Sequence, residues 1–269
     1  MGATTSLKQE YDQKGYVIVR NMIDADLAEE TVRHVQWLVK KHPQVRPERL
    51  HHHLLVNDPF IHRLVGDDRL LDIAELFIGP NIALYSAHYI AKKPGDGQAV
   101  QWHQDGSYWP LEPMRVTTLW VAGTASSKEN GCMRVLPRTH HRRLMKRSEL
   151  VDLDRDKFVL GAGMHPDHID DSDAVDLELQ PGDVSIHHPT IVHGSNANKS
   201  DHWRVGLTLR YIPTSTWVKT RAEEHRNLLL RGEADPGVKN AYAERPLFVE
   251  GEHMVFRGCE SWNLALKKQ

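Results

Sequence analysis

The sequence predicts a mainly β protein, a sandwich or barrel with helices on its N-terminal side. In about the first 80 residues, apolar side chains recur with the period of amphipathic helices. Beyond that point they fall in short runs separated by Gly, Pro, Asn and Asp, as in strands joined by turns. The 269 residues suit one β domain with helical additions.

The N-terminal flank, residues 1–80, is predicted to be mainly helical. Tyr16–Val19 is a short β-branched run and predicts a strand. Residues 26–41 and 59–77 carry apolar side chains at helical spacing. Prolines between these stretches, and Gly79-Pro80 after the second, are typical of helix ends.

Residues 81–215 are predicted to form the β core. An Asp-rich stretch near 150–176 is predicted to be a loop inserted between strands, of the kind that often covers a functional site. The C-terminal extension, 216–269, is predicted to be helical around 221–231. With no repeat or low-complexity linker, we expect one domain over 1–269. The predicted strands are 82–91, 115–121, 132–136, 184–186 and 204–212.

Composition narrows the class of protein. The formal net charge of −2 offers no basic excess for a nucleic-acid partner. No apolar run is long enough for a membrane helix, and the start of the chain lacks the apolar segment of a secretory leader. Two distant cysteines indicate a reducing compartment, and the C-terminal residues lack a peroxisomal signal. We therefore expect a cytoplasmic protein; its oligomeric state is not predicted.

The stretch around His103-Gln104-Asp105 carries the candidate chemistry. An H-x-D at a strand or its end directs both side chains to one side, so both can reach one ion. One imidazole and one carboxylate are two of the three ligands of an iron facial triad. The motif alone is weak evidence, because it occurs three times, also at His165-Pro166-Asp167 and His168-Ile169-Asp170 in the Asp-rich stretch. There, surface solvation explains the composition.

A third ligand is available after the turn signal Pro181-Gly182-Asp183. The apolar run that follows predicts a strand that brings a histidine back toward the site. His187, His188 and His193 compete for this role. His193 is modestly favoured, because Gly194 beside it is conformationally permissive.

An anion site is predicted on the alternating strand after Trp203. It places Arg204, Gly206, Thr208 and Arg210 on one face. A buried arginine is costly unless an anion pairs with it. A dicarboxylic co-substrate would supply that anion, whereas the structural alternative is a salt bridge.

From about Gly79 to Tyr211 the chain resembles the phytanoyl-CoA dioxygenase (PhyH) family of iron(II)/2-oxoglutarate oxygenases. At Arg138 the family usually has glycine, so that turn is expected to differ. The segments that carry the resemblance are Gly79-Pro80-Asn81-Ile82, Lys92-Lys93-Pro94-Gly95, Trp102-His103-Gln104-Asp105, Glu129-Asn130-Gly131-Cys132, Leu136-Pro137-Arg138-Thr139-His140 and His193-Gly194-Ser195.

The resemblance implies a double-stranded β-helix, a cupin-like jelly roll with N-terminal helices packed on one sheet. It implies His103, Asp105 and His193 as Fe(II) ligands and catalytic residues. It places the 2-oxoglutarate arginine eleven residues after the distal histidine, at Arg204 rather than Arg210. Three further positions look like 2-oxoglutarate contacts, namely His88, Trp120 and, more weakly, His51.

The resemblance also implies the reaction, the hydroxylation of a small molecule with O2 as oxidant and succinate and CO2 as co-products. Because Asp105 occupies the position that halogenating relatives leave open, hydroxylation is favoured over halogenation. Basic residues near Arg49 suit an anionic or zwitterionic substrate, such as a phosphonate or carboxylate, although a solvated surface loop explains them equally. Tyr108 and Trp109 are candidate substrate contacts.

Three alternatives remain open. The same chemistry could tailor a natural-product scaffold. A cupin-like protein could bind a metal without turnover, or a zinc hydrolase could use the same ligands. An anchor for a dicarboxylate argues against the last two, because neither needs one.

Overall fold

The computed structural model describes residues 2–220 and 224–266. Helices dominate its first part, and antiparallel strands follow. The helices are α1 (Gly2–Lys14), α2 (Ala25–Lys41), α3 (His52–Leu55), α4 (Pro59–Val65), α5 (Asp68–Ile78) and α6 (Cys259–Leu266). The strands are β1 (Tyr16–Val19), β2 (Leu50–His51), β3 (Ile82–Tyr89), β4 (Val100–His103), β5 (Leu111–Glu112), β6 (Thr117–Ala122), β7 (Met133–Leu136), β8 (Val151–Asp152), β9 (Ala162–Gly163), β10 (Val175–Leu177), β11 (Val184–His187), β12 (Val192–Ser195), β13 (Gly206–Pro213), β14 (Trp217–Val218) and β15 (Leu228–Arg231).

Two antiparallel sheets form the β core. The larger runs β1-β11-β6-β13-β3-β15, with β2 added beside β3, and the smaller runs β10-β7-β12-β4. Side chains of β6, such as Trp120, meet side chains of β7, such as Met133, in an apolar cluster between the sheets. The predicted jelly roll is confirmed.

The N-terminal helices pack on the outer face of the larger sheet, as predicted. Leu27 and Leu38 of α2 and Leu70 of α5 are buried in one apolar core with Leu119 of β6 and Leu209 of β13. Burial of a large aliphatic side chain contributes about 1.5–3 kcal/mol to the free energy of folding, so this layer is a main source of stability. The opposite, inner face of the larger sheet is therefore available to line a cavity between the two sheets.

Local capping explains where the helices begin. The Asp24 carboxylate accepts a hydrogen bond from the Leu27 amide at 2.8 Å and starts α2. The predicted helix over 59–77 is instead two helices. The Asp67 carboxylate accepts a hydrogen bond from the Arg69 amide at 3.1 Å and caps α5 separately. The helix is therefore interrupted at Gly66-Asp67, between α4 and α5.

The C-terminal extension differs from its prediction. Leu228–Arg231 is a strand paired with β3, not a helix, because Leu228 is buried against the sheet. Residues 221–223 of the predicted helix lie outside the described residues. The extension therefore lengthens the larger sheet. Within the described part of the chain, no helix has the length and apolarity that crossing a membrane requires.

The Asp-rich insertion also has more structure than predicted. It contains the β8–β9 pair and a short 3-10 turn, Pro166–His168. The Met164 amide donates to the Trp102 carbonyl at 2.9 Å, which ties the insertion to β4.

The turn at Arg138 adopts φ 67°, the left-handed region that favours glycine, although a different turn was expected there.

Candidate functional site

The structure brings His103, Asp105 and His193 together at one end of the smaller sheet. His103 is the last residue of β4, and Asp105 begins the 3-10 turn that follows. His193 of β12 pairs directly with His103 across the strands. A side chain at Gly194 would place its Cβ 2.9 Å from the Val100 carbonyl oxygen, so glycine permits this close approach of β12 to β4.

The geometry of these three residues fits a metal ion. One potential ligand atom from each lies within 4.8 Å of the others, and all three residues are buried. Nδ1 of His103 donates to the Gln101 carbonyl at 2.8 Å, and Nδ1 of His193 donates to the Ile191 carbonyl at 3.1 Å. Each imidazole therefore presents an Nε2 lone pair, the arrangement seen in metal-binding histidines.

The electrostatics of the site also suit a cation. Burial would raise the pKa of Asp105, but the positive charge of Arg210 and the neighbouring imidazoles of His103 and His187 hold that pKa well below its usual range. Burial lowers the pKa of His193, and His103 and His187 lower it further. At neutral pH the site therefore offers a carboxylate and a neutral imidazole, the forms that bind metal ions.

His187, a competitor for the third ligand position, approaches from the opposite sheet. Its Nε2 lies 3.7 Å from Oδ2 of Asp105, and its ring centre lies 4.8 Å from that of His193. Among the described residues neither of its ring nitrogens has a hydrogen-bond partner at ordinary distance. His187 thus lies beside the three residues that could hold a metal but is not one of them. His188 points away, with Nδ1 2.7 Å from the Thr190 hydroxyl.

Arg204 lies in the same cavity as the three candidate ligands. It is 1% exposed, and its Nη atoms donate to the Gly131 and Ile90 carbonyls at 3.0 and 2.9 Å. Its guanidinium carbon lies 5.2 Å from the ring centre of Trp120. Burial lowers the pKa of Arg204 to about 10, so the residue is still cationic at pH 7. Its hydrogen bonds go to neutral carbonyls, and within the described part of the chain no carboxylate forms a salt bridge with it, as expected for an anion anchor.

Two adjoining cavities surround these residues. The inner cavity, about 50 Å³, lies between the sheets and is lined by the candidate metal ligands, Arg204, Trp120 and Thr208. The outer cavity, about 500 Å³, is lined chiefly by His51, His52, His53, His88, His225 and Arg210. His88 and Arg210 line both, so the two cavities meet at these side chains.

Two predicted co-substrate contacts lie at this junction. His88 of β3 is buried, and its Nε2 lies 2.8 Å from the Glu48 carbonyl oxygen. His51 of β2 stacks on His88 with 3.9 Å between ring centres. His51 lines the outer cavity, whereas Arg204 and Trp120 line the inner one. The structure therefore places His51 against His88 but outside the cavity that contains Arg204 and Trp120.

The three predicted substrate contacts occupy different places. Tyr108 packs edge-on to His103, and its hydroxyl donates to the Ala162 carbonyl at 2.8 Å. The guanidinium carbon of Arg210 lies over Trp109, 5.1 Å from the centre of the tryptophan ring. Arg49 donates to the Arg155 and Phe158 carbonyls and so links the N-terminal flank to the insertion. Substrate contact by these residues stays a prediction.

Sequence reasoning missed part of the outer cavity. Tyr85 and His225 pack together with 4.7 Å between ring centres and line its wall. His225 lies in the C-terminal extension, where no motif indicated a site. Arg210, which the sequence placed on the same strand face as Arg204, lines this cavity as well as the inner one.

Comparison with known proteins shows one consistent family. The family model described as phytanoyl-CoA dioxygenase (PhyH) matches residues 11–206. A probable alpha-ketoglutarate-dependent hypophosphite dioxygenase from Stutzerimonas stutzeri is 29% identical over 157 residues, 58% of this chain and 54% of that protein. The peroxisomal phytanoyl-CoA dioxygenase of Homo sapiens is 31% identical over 150 residues, 53% of this chain and 43% of that protein. The chain spans about half the length of these relatives.

Solved structures show the same fold. The apo form of ThoJ, a non-heme monooxygenase, superposes with a TM-score of 0.75 at 22% identity, covering 97% of this chain and 95% of that one. EctD from S. alaskensis in its apoform superposes with a TM-score of 0.66 at 21% identity, covering 92% and 89%. At these identities the likeness concerns the fold.

Proposed function

The chain belongs to the phytanoyl-CoA dioxygenase family, and from this premise we propose that it is a non-haem iron(II), 2-oxoglutarate-dependent dioxygenase. Its substrate is a small anionic or zwitterionic molecule, such as a phosphonate or carboxylate, which it hydroxylates. Succinate and CO2 are the co-products. The observation that carries this proposal is the assembly of His103, Asp105 and His193 in one buried cavity with Arg204.

Iron(II) would be held by His103, Asp105 and His193, and 2-oxoglutarate would place its distal carboxylate against Arg204. With both bound, the centre would supply the O2-dependent oxidation of a substrate C–H bond, coupled to decarboxylation of the co-substrate. Neither a cupin-like metal-binding protein without turnover nor a zinc hydrolase needs Arg204, a buried cation whose hydrogen bonds go to neutral carbonyls. The arginine therefore favours the oxygenase over both alternatives.

The chain's own residues orient the reactants and exclude water. The Gln101 and Ile191 carbonyls each accept a hydrogen bond from Nδ1 of one imidazole, which leaves Nε2 of His103 and of His193 available to the ion. Trp120 packs against the guanidinium of Arg204 and keeps it directed into the inner cavity. Leu160 of the insertion closes the same cavity. Exclusion of water strengthens electrostatic contacts with the co-substrate and protects reactive species from side reactions.

The substrate class is supported by two observations. The outer cavity, which opens onto the inner one, contains Arg210 and several imidazoles. Hypophosphite and phytanoyl-CoA, the compounds in the relatives' names, both carry negative charge. A cavity with cationic and hydrogen-bonding side chains suits anionic or zwitterionic molecules.

Anaerobic titration with Fe(II) and 2-oxoglutarate tests the proposal. We expect the visible charge-transfer band of the iron–keto acid chelate in wild-type protein, and succinate release once O2 is admitted. Asp105→Ala should remove both signals, and Asp167→Ala, in an exposed H-x-D, should keep them. Absence of the band in wild-type protein, or an unchanged Asp105→Ala variant, would contradict the proposal. Iron binding without succinate release would favour the metal-binding protein without turnover.

Three further expectations from the sequence belong to the same proposal. The protein acts on a small molecule rather than a nucleic acid, it lies in the cytoplasm, and residues 1–269 fold as one domain. The net charge of −2 supports the first, and the two distant cysteines support the second.

A further inference from the structure

Arg210 occupies the junction of the two cavities, and among the described residues the carboxylate within salt-bridge distance of it is that of Asp105. It lies on β13, is 9% exposed and lines both cavities. Its Nε has no hydrogen-bond partner among the described residues. Oδ2 of Asp105 lies 3.7 Å from this Nε, beyond hydrogen-bond distance. Stacking on Trp109 holds the guanidinium in place.

A structural ion pair with Asp105 does not account for this arginine. Asp105 is the carboxylate of the candidate metal site, so its charge is shared with the ion once iron binds. With iron(II) and 2-oxoglutarate in place, the formal charges of Asp105 and the dianion balance those of the ion and Arg204. The positive charge of Arg210 is then left over in a buried site, which is costly until an anion arrives.

The rest of the outer cavity adds little positive charge beside Arg210. Burial lowers the pKa of His51 and of His52 to about 4, and burial also lowers the pKa of His225, so these imidazoles are neutral at pH 7. They are polar but carry no charge, and both ring nitrogens of His52 already lie within hydrogen-bond distance of backbone groups. Glu224 and Arg226 on the same wall have opposite formal charges. The cavity thus combines one cationic inner end with a neutral, polar wall.

Resting on the proposed function, we propose that Arg210 binds the anionic group of the primary substrate, a carboxylate or a phosphonate, while the remainder of the substrate lies among the imidazoles of the outer cavity. The two arginines on this face of β13 then bind different ligands. Arg204 holds the co-substrate, and Arg210 selects the substrate. Because Arg210 lies next to Asp105, the carbon that is oxidised is expected to be close to the anionic group.

Isothermal titration of the anaerobic protein, loaded with Fe(II) and 2-oxoglutarate, tests this role. The probes are ethylphosphonate, propionate and the neutral propionamide. Wild-type protein should bind at least one anion more tightly than the amide, and the tighter anion identifies the group. Arg210→Gln should weaken that anion's binding by about 30-fold or more, because truncation leaves the anion without its buried partner. Arg210→Lys should restore part of it.

Arg226→Gln is the matched control, since Arg226 lines the same cavity away from the inner one. It should change anion affinity by less than about threefold, as expected for a peripheral charge. Equal anion binding in Arg210→Gln and wild type, or loss in Arg226→Gln alone, overturns the inference. So does a wild type that does not prefer anions to the amide.

Two more measurements keep the inference apart from its premise. Affinity for 2-oxoglutarate and the intensity of the charge-transfer band should be retained in Arg210→Gln. If both fall together with anion binding, Arg210 positions Asp105 instead of binding substrate, and the inference is wrong. If wild-type protein forms the band and releases succinate yet anions bind equally to Arg210→Gln, only the inference fails. If wild-type protein forms no band, the proposed function itself fails, and the inference with it.

Discussion

Two regions of this molecule carry the same H-x-D pattern with opposite outcomes. His103 and Asp105 at the end of β4 are 4% and 5% exposed. In the Asp-rich insertion, the side chains of His165 and Asp167 are 44% and 84% exposed. In the insertion, Nδ1 of His165 accepts a hydrogen bond from the Asp167 amide at 3.2 Å, so one lone pair serves the local turn. At β4 the corresponding nitrogen donates to a carbonyl and leaves Nε2 available.

The difference lies in what faces each pair. Strand β12 places His193 opposite His103 in register, and β11 brings His187 across from the other sheet. Within the described residues, no third His, Cys, Asp or Glu joins His165 and Asp167 in a group that could hold a metal. A two-residue motif therefore acquires chemistry only where the fold supplies a third side chain and excludes water.

The largest expected effect separates the two motifs directly. Asp105→Ala should lower iron affinity by more than the ~10–100-fold that loss of an outer-shell partner costs, and should abolish succinate release. Asp167→Ala, at an exposed site, should change neither. Metal content after dialysis and succinate assays measure both. If Asp167→Ala lost as much iron as Asp105→Ala, the comparison would be wrong.

A second test uses two arginines that both lie over tryptophan rings. Arg204 lies over Trp120 in the inner cavity, and Arg134 lies over Trp102 with salt bridges to acids of the insertion. Arg204→Met should raise the KM for 2-oxoglutarate by about 30-fold or more, because a buried anion partner is lost. Arg134→Met should leave that KM within about threefold of wild type, since its ion pairs are partly exposed. Steady-state kinetics in 2-oxoglutarate decides; equal effects would count against an anchor at Arg204.

A third test concerns packing beneath the site. A Cβ at Gly206 would lie 1.8 Å from a ring carbon of Trp120, so Gly206→Ala must displace the indole. Overpacking of this kind costs about 1–3 kcal/mol. We expect a lower Tm and weaker 2-oxoglutarate binding, because Trp120 supports Arg204. In the insertion, a Cβ at Gly161 meets only the flexible end of Arg155, so Gly161→Ala should leave Tm nearly unchanged. Tm is measured by calorimetry, and equal losses of Tm in Gly206→Ala and Gly161→Ala would contradict this prediction.

The smallest expected effect is the pH dependence of stability. Burial lowers the pKa of His52 and of His188 to about 4, below the value of about 6.5 for an unfolded chain. Between these values the unfolded state binds more protons, so the free energy of unfolding should fall as pH drops from about 6.5 to 4. His52→Gln and His188→Gln should flatten this fall in urea titrations, whereas replacing the exposed His168 with Asn should not. A curve that is flat in wild type would contradict the prediction.

Much of the fold could be predicted because its signals are local. The helical period over 26–41 corresponds to α2, and the alternation over 204–212 corresponds to β13. The break between α4 and α5 was missed because a single side chain, Asp67, starts a new helix inside a continuous apolar period. The strand at Leu228–Arg231 was missed because only its pairing with β3 makes it a strand.

The candidate site divides in the same way. Residue types and spacing made His103, Asp105 and Arg204 candidates, and the resemblance to the family selected them; the structure places all three in one cavity. The position of His51 in the outer cavity, and the approach of Arg210 to Asp105, depend on side-chain directions that spacing does not report. Sequence reasoning did not identify His225, because this residue lies in a segment with no motif.

The sequence by itself determined which residues can carry metal and anion chemistry, and it determined the class of fold, because periodicity and residue chemistry are properties of the chain. Only the tertiary structure decided which H-x-D is buried beside a third ligand, and that Arg204 lines the inner cavity whereas Arg210 lines both. The physical reason is register. The pairing of β12 with β4 aligns His193 with His103, and that alignment comes from long-range packing between the sheets.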